Sequence, residues 1–411
     1  MTIQEDALRD YRDRTHRKAL TKVGNRIYHF AGYAHSNITA IIGDSSVIVV
    51  DAADSPSSAE GVREELARIT DKPVRTLIYT HGHPDHRGGA GAFRDTLEEV
   101  IAFTSLRRPL PYMARINERL MKRGIYQFGH KLNEGELITQ GLGPREKLTG
   151  GEHYDFVEPT TVYTEDRIDR IIDGVSLSLI RVPGETDDQI AVWLAEDGAL
   201  CCGDTYYSCW PNVYAIRGTA YRDVCDWIDS LSRLIELSAA ALLPGHHQAV
   251  LGKETINDTL TAYRDALQSV LDQTLDCINR GMSEDLAAET VHLPDSLAEK
   301  PFLGEFYGTV AFAVRAIYSG YVGWFDGGPV HLLPSAQEHY NKELVQLIGK
   351  DRLVERIDRA IKEEDYQLGL ELCALLEGED ERRKACLRGR ATQTTSSNAR
   401  NYLLSWAKFG R

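Results

Sequence analysis

Tyr79-Thr80-His81-Gly82-His83-Pro84-Asp85-His86-Arg87-Gly88-Gly89 puts three imidazoles and a carboxylate within six residues. The run Val74 to Tyr79 before it reads as a short buried strand. The cluster therefore leaves a strand end, where a loop can turn all four groups inward. Imidazole nitrogen and carboxylate oxygen suit Zn²⁺ and similar divalent ions. Four donors cannot fill the coordination of two ions, so further ligands must come from elsewhere in the chain. Three places offer them: Pro183-Gly184-Glu185, Cys202-Gly203-Asp204 and Leu243-Pro244-Gly245-His246. Each sets a ligand-type residue on a glycine-containing turn after an apolar run. Singly, each reads as an ordinary loop residue; with the histidine cluster they form a set. Of the adjacent pair His246 and His247, the first is the expected ligand, although spacing alone does not separate them.

Outward from this stretch, strands alternate with helices over about 25–250. Asn37 to Asp44 and Ser45 to Asp51 read as a hairpin with Gly43-Asp44 at its turn. Ala59 to Ile69 has helical spacing, with Val62, Leu66 and Ile69 on one stripe. Ile171 to Val182 and Ile190 to Leu200 read as later strands, and Tyr221 to Leu234 as an amphipathic helix. From about 254 the texture is helical: a long helix up to Gly281, then helices at about 304–320, 335–348, 350–362, 364–377 and 398–408. Arg388 to Ser397 reads as a polar loop. Asp51, ending a buried strand, is a candidate hydrogen-bond acceptor for a ligand imidazole.

The chain has 411 residues, 42% hydrophobic and 26% charged, which is the balance of a globular protein with two domains. Its net charge of −14 argues against a nucleic-acid or anionic-membrane partner but leaves room for a local basic pocket. No stretch reaches the length of a membrane span. The charged opening residues show no secretory pattern, and seven cysteines without framework spacing suit free thiols in a reducing compartment. The expected location is the cytoplasm.

His81-Gly-His83-Pro-Asp85-His86 resembles the H-x-H-x-D-H signature of the metallo-β-lactamase superfamily. More closely, the chain is similar to the zinc-dependent alkylsulfatases. Asn212-Val-Tyr-Ala-Ile-Arg217-Gly-Thr-Ala-Tyr-Arg222-Asp223 resembles that family's N-x-Y-x-x-R-G-x-x-x-R-D. Tyr126-Gln-Phe-Gly129 resembles its Y-Q-Y-G turn. Gly304 to Thr309, Arg315 to Tyr318, Gly320 to Asp326 and Arg400-Asn-Tyr-Leu resemble parts of its helical dimerisation domain.

The resemblance implies an α/β + α protein: an αββα sandwich over 1–250, followed by a helical dimerisation domain over 251–411 and giving a homodimer. It implies two zinc ions per chain. His81, His83 and Glu185 would hold the first, and Asp85, His86 and His246 the second, with Asp204 between them. Arg217 and Asn212 would bind sulfate oxygens, with Tyr126 and the Gly129 turn completing the pocket. Thr80 would donate to the substrate or orient its loop. Asp85, Arg217 and Tyr126 are the expected catalytic groups. Three departures stand out: Pro211 replaces a family histidine, Glu185-Thr-Asp-Asp-Gln189 differs from a proline-containing acidic run, and no counterpart of a sterol-carrier-like third domain is expected.

The chemistry agrees with that expectation. Two zinc ions lower the pKa of a shared water to about 7, giving hydroxide at neutral pH. A guanidinium fork complements a sulfate monoester better than an ammonium does. The expected function is hydrolysis of an alkyl or related organic sulfate, a small-molecule substrate, with neither nucleic acid nor membrane as partner. The alternative is another dinuclear hydrolase on the same scaffold: a thioesterase, lactonase or phosphoester hydrolase.

Overall fold

The computed structural model describes residues 2–107, 110–150 and 152–410. Two sheets lie face to face. The first contains β1 (Ala19–Val23), β2 (Ile27–Ala31), β3 (Ile38–Ile42), β4 (Val47–Val50), β5 (Val74–Ile78), β6 (Glu99–Phe103) and β7 (Thr161–Tyr163), in that order. It is antiparallel up to β4 and parallel from β4 to β7. The second contains β8 (Arg167–Ile172), β9 (Val175–Arg181), β10 (Ile190–Leu194), β11 (Ala199–Gly203), β12 (Ala241–Pro244) and β13 (Val250–Leu251). Only β11 and β12 pair in parallel there.

Strand alternation explains how one chain feeds three layers of core. In β4, Ile48 and Val50 face the second sheet, where they meet Leu179, Val192 and Leu243. Val47 and Val49 face outward and pack with Val62 and Leu66 of the helix Pro56–Ala67. In β11, Cys201 joins the inter-sheet core and Cys202 the outer one. That outer core receives Trp227, Leu231 and Leu234 of the helix Val224–Glu236, and Leu260, Tyr263 and Leu267 of the helix Lys253–Asn279. The long helix is thus continuous in packing with the sandwich. Among the described residues, the rest of the C-terminal part is helical, ending in Ser397–Phe409.

The structure differs from the sequence reading at several turns. Ile171 to Val182 is not one strand. β8 ends at Ile172, and Asp173 and Gly174, with φ of 47° and 77°, reverse the chain into β9. Ile190 to Leu200 likewise divides into β10 and β11, with Gly198 at φ 61° in the turn. Arg388 to Ala391 finishes a helix, Asp380–Ala391, instead of opening a loop. The amino-terminal helix Ile3–Thr15 and strands β1 and β2 carry no clear periodicity in the sequence, because charged and aromatic residues mask it.

Candidate metal centre and anion pocket

Five strands deliver the site. Asp51 follows β4, Thr80 to His86 follow β5, Glu185 follows β9, Asp204 follows β11 and His246 follows β12. All lie at carboxyl ends of their strands, which the sheet topology brings to one edge. Gly245 has no room for a side chain: a Cβ there would sit 2.4 Å from Asp204 Oδ1 and 2.8 Å from His86 Cε1. The turn can therefore press His246 against its neighbours only with glycine before it.

Two groups of donors result, His81/His83/Asp204 and Asp85/His86/His246, each within 4.8 Å. His81 Nε2 lies 2.9 Å from His83 Nδ1, and His86 Nε2 lies 3.3 Å from His246 Nε2. Asp204 reaches both groups. Its Oδ2 is 3.3 Å from His246 Nε2 and 3.9 Å from His81 Nε2, and its Oδ1 is 3.4 Å from His86 Nε2. Asp85 Oδ2 is 3.3 Å from His246 Nε2. Glu185 stands beside the groups: its Oε1 accepts from Arg222 Nη1 at 2.8 Å, and its buried Oε2 has no partner.

The electrostatics match a site that holds cations. Burial and the neighbouring imidazoles push His81 and His83 down. Burial also opposes charge on His86 and His246, yet the carboxylates of Asp204, Asp51 and Asp85 raise His86 well above the usual range, and Asp204 and Asp85 lift His246 to about 10. Asp85 and Asp204 are held well below the usual carboxylate range, their burial outweighed by His86 and His246. Burial raises Glu185 to about 7 against the pull of Arg222. Imidazole nitrogens converging with buried carboxylate oxygens that have no hydrogen-bond partner, Asp204 Oδ1 and Glu185 Oε2, form a donor set that fits divalent cations.

Asp51 is the supporting acid. Its Oδ2 is 2.7 Å from His86 Nδ1, and it accepts from the Thr80 amide and hydroxyl at 2.8 Å each. This fixes His86 with Nε2 toward Asp204. Asp51→Asn is expected to weaken metal retention about 10–100-fold, read by competition with a chromophoric chelator.

The choice between the adjacent histidines is visible in their contacts. His246 Nδ1 bonds the His35 carbonyl at 2.9 Å, leaving Nε2 for the cluster. Both nitrogens of His247 are engaged elsewhere: Nδ1 accepts from the Ser208 amide, and Nε2 lies 2.9 Å from the Tyr11 hydroxyl.

A cavity of about 590 Å³ opens over the cluster. Arg217 and Asn212 line it. Arg217 Nη2 is 3.4 Å from His83 Nε2, and its backbone amide donates to Gln127 Oε1 at 2.7 Å. Asn212 is buried, with both side-chain polar atoms unpartnered. Burial and the nearby Arg222 cation lower the Arg217 pKa. His35, Tyr154, Tyr307 and the His130–Glu146 pair also reach this cavity.

Two of the expected pocket residues lie off the cavity lining. Tyr126 does not line the cavity. Asn117, Leu120, Met121 and Gly124 share the inner stripe of the helix Asn117–Gln127, and a residue two positions past Gly124 points about 200° away. Its ring instead packs 5.6 Å from Tyr402 and 6.0 Å from Trp406. Gly129, at φ 61°, forms a turn against Leu132, Leu137 and Asn401, also off the cavity lining. Gln127 is the residue of that segment which touches the clamp loop. Tyr126→Ala should cost about 3 kcal/mol in denaturant unfolding, with Tyr126→Phe near wild type. Thr80 lies beneath the cluster, off the cavity lining, with its hydroxyl donated to Asp51.

The metallo-beta-lactamase superfamily profile matches residues 31–246, and the alkyl sulfatase dimerisation profile matches residues 283–410. A linear primary-alkylsulfatase of Pseudomonas sp. (strain ATCC 19151) is 33% identical over 79% of this chain and 63% of its own length. An alkyl/aryl-sulfatase of Saccharomyces cerevisiae is 29% identical over 85% of this chain and 55% of its own. The chain thus spans less than two thirds of these relatives. A solved sec-alkylsulfatase from Pseudomonas sp. superimposes with a TM-score of 0.87, at 21% identity, over 99% of this chain and 68% of the other. That agreement extends the shared fold through the helical part. With two sheets between helical layers and the superfamily profile over more than half its length, this chain belongs to the metallo-beta-lactamase superfamily and is homologous to the alkylsulfatases.

Proposed function

We propose that the protein hydrolyses sulfate monoesters of alkyl or related alcohols with two zinc ions per chain. His81, His83 and Glu185 would hold one ion and Asp85, His86 and His246 the other, with Asp204 in reach of both groups. The observation that carries the reading is the clamp: Arg217 and the unpartnered amide of Asn212 face one cavity directly above the donor cluster. Burial and a second guanidinium oppose the Arg217 charge, and Glu185 and Asp85 offset them only in part, so the pocket favours an added anion. The curated relatives named as alkylsulfatases support sulfate as that anion.

When bound, the ions supply Lewis acidity toward the attacking water and the ester oxygens. The rest falls to the chain. Arg217 donates its planar fork to two sulfate oxygens, and Asn212 donates to a third. Arg222 pins the Glu185 carboxylate so that the other oxygen stays toward the site. Asp85, whose side chain reaches the cavity, accepts from the attacking water and orients it. Leu120, Met121, Ile125 and Leu142 exclude water around the organic group.

The division at residue 250 makes 1–250 the catalytic unit and 251–411 the unit through which two copies pair. Exposed Tyr321, Trp324, Val330 and Leu333 in the second unit support a homodimer. Seven free cysteines, six of them buried, support a cytoplasmic location.

The test is metal quantification together with sulfate release from a panel of alkyl and aryl sulfates. About two zincs per chain with sulfate release is the expected result. Two zincs with no sulfate release from any ester would sink the sulfatase reading and point to a thioester, lactone or phosphoester.

A further inference from the structure

The rim of the cavity carries a surface that the metal chemistry leaves unused. The helix Asn117–Gln127 turns Leu120, Met121 and Ile125 toward the cavity. Beside and before that stripe, Leu110, Tyr112, Met113, Ile116 and Met121 are exposed, at 63, 71, 38, 49 and 59%. Five large apolar side chains open to solvent along one short segment mark an interaction surface.

Cations are interleaved with them. Arg119 and Lys122, three apart, share one side of the helix Asn117–Gln127, and Arg115 lies over the Tyr112 ring in the short turn Met113–Ile116 before it. All three are exposed and have no ion-pair partner among the described residues. Arg123 differs: it turns inward to the Ile216 carbonyl. Arg107, earlier in the chain, is occupied by Asp187, Asp223 and Asp226. Glu118 is the single acid between residues 110 and 125. A chain with net charge −14 thus presents a basic, apolar surface beside its cavity mouth, the cations lying off the cavity lining. Overall charge predicts no membrane partner; its distribution on this face says the opposite.

We propose that residues 110–122 form an interfacial docking surface for an anionic lipid bilayer, seating the cavity mouth on the membrane. Aliphatic and aromatic side chains enter the headgroup boundary while the cations meet anionic lipid. Nothing needs to span the bilayer, and no helix among the described residues is long and apolar enough to do so. The complementary sign, together with apolar groups projecting outward, favours a lipid surface over a peptide. An amphiphilic ester dissolved in the bilayer would then enter along Leu120, Met121 and Ile125. That consequence rests on the sulfatase reading; the docking itself does not, and a binding assay without substrate separates the two.

The experiment is co-sedimentation of the full chain with vesicles of phosphatidylglycerol and phosphatidylcholine in equal parts, against phosphatidylcholine alone. Wild type is expected to bind the anionic vesicles at least about tenfold better, and less well as salt rises toward about 0.5 M. Arg115→Glu/Arg119→Glu/Lys122→Glu should lower that binding on the order of a hundredfold. Met113→Ser/Ile116→Ser should weaken it with the charges intact. Because these positions are exposed, thermal melting near wild type serves as the fold control. Wild type remaining in the supernatant, or the charge-reversed variant binding as wild type does, would overturn the proposal. So would a dimer that the charge reversal converts to monomer in sedimentation equilibrium, since the rim would then belong to a second copy.

Discussion

Replacing Arg217 by alanine is expected to lower kcat/KM for an alkyl sulfate by about 10²–10³-fold while zinc content stays at the wild-type level. The guanidinium lies 3.4 Å from His83 Nε2 and lines the cavity, but it belongs to neither donor group. Removing it takes away a charge-assisted bidentate contact to the anion in a partly desolvated site, worth about 3–4 kcal/mol where charge develops. Folding should not suffer. In the free protein burial and Arg222 both oppose the Arg217 charge, so its loss relieves repulsion. Arg217→Lys should recover only part of the rate, because a point charge cannot engage two oxygens in one plane. Steady-state kinetics and metal analysis on the same preparation check this. Activity within a few-fold of wild type would mean that the sulfate lies elsewhere in the cavity.

The second large effect belongs to Asp204. Asp204→Ala should abolish retention of at least one metal ion and reduce activity on the order of 10³-fold or more. Its two oxygens lie 3.3 to 3.9 Å from His246, His86 and His81, so one substitution touches both donor groups. Stability should fall as well. In the metal-free protein, burial opposes charge on His86 and His246, and among the neighbouring carboxylates Asp204 does most to sustain it. Breaking such a buried ionic arrangement costs about 3–5 kcal/mol. Metal stoichiometry after dialysis and denaturant unfolding measure the two parts. Asp204→Asn keeps the shape and loses the charge, so an equal loss of metal in that variant would assign the effect to charge. Full metal content in Asp204→Ala would rule out a bridging role.

The positions of the donors were legible in the chain because two local rules determine them. A strand of alternating apolar residues has a predictable end, and a glycine turn there lets a polar side chain double back toward the sheet edge. That pattern plus the chemistry of imidazole and carboxylate singled out the histidine cluster after β5 and the turns carrying Glu185, Asp204 and His246; the structure brings the histidines, Asp85 and Asp204 into two groups, with Glu185 beside them. The same alternation put Cys201 and Cys202 on opposite faces of β11. Where turns carry positive φ, as at Asp173 and Gly198, the apolar runs on either side blurred into single strands.

Tertiary structure alone decided which groups face one another. Sequence spacing could not separate His246 from His247; the His35 carbonyl, the Ser208 amide and the Tyr11 hydroxyl did. Tyr126 carries the right residue type beside the right turn, yet the rotation of its helix gives it to Tyr402 and Trp406 and leaves Gln127 to meet Arg217. Arg222 pairs with Glu185 across thirty-seven positions of sequence. Residue type and local periodicity set what a position can do. Which cavity it reaches depends on the packing of distant elements, whose energy is spread over many contacts that no local stretch contains.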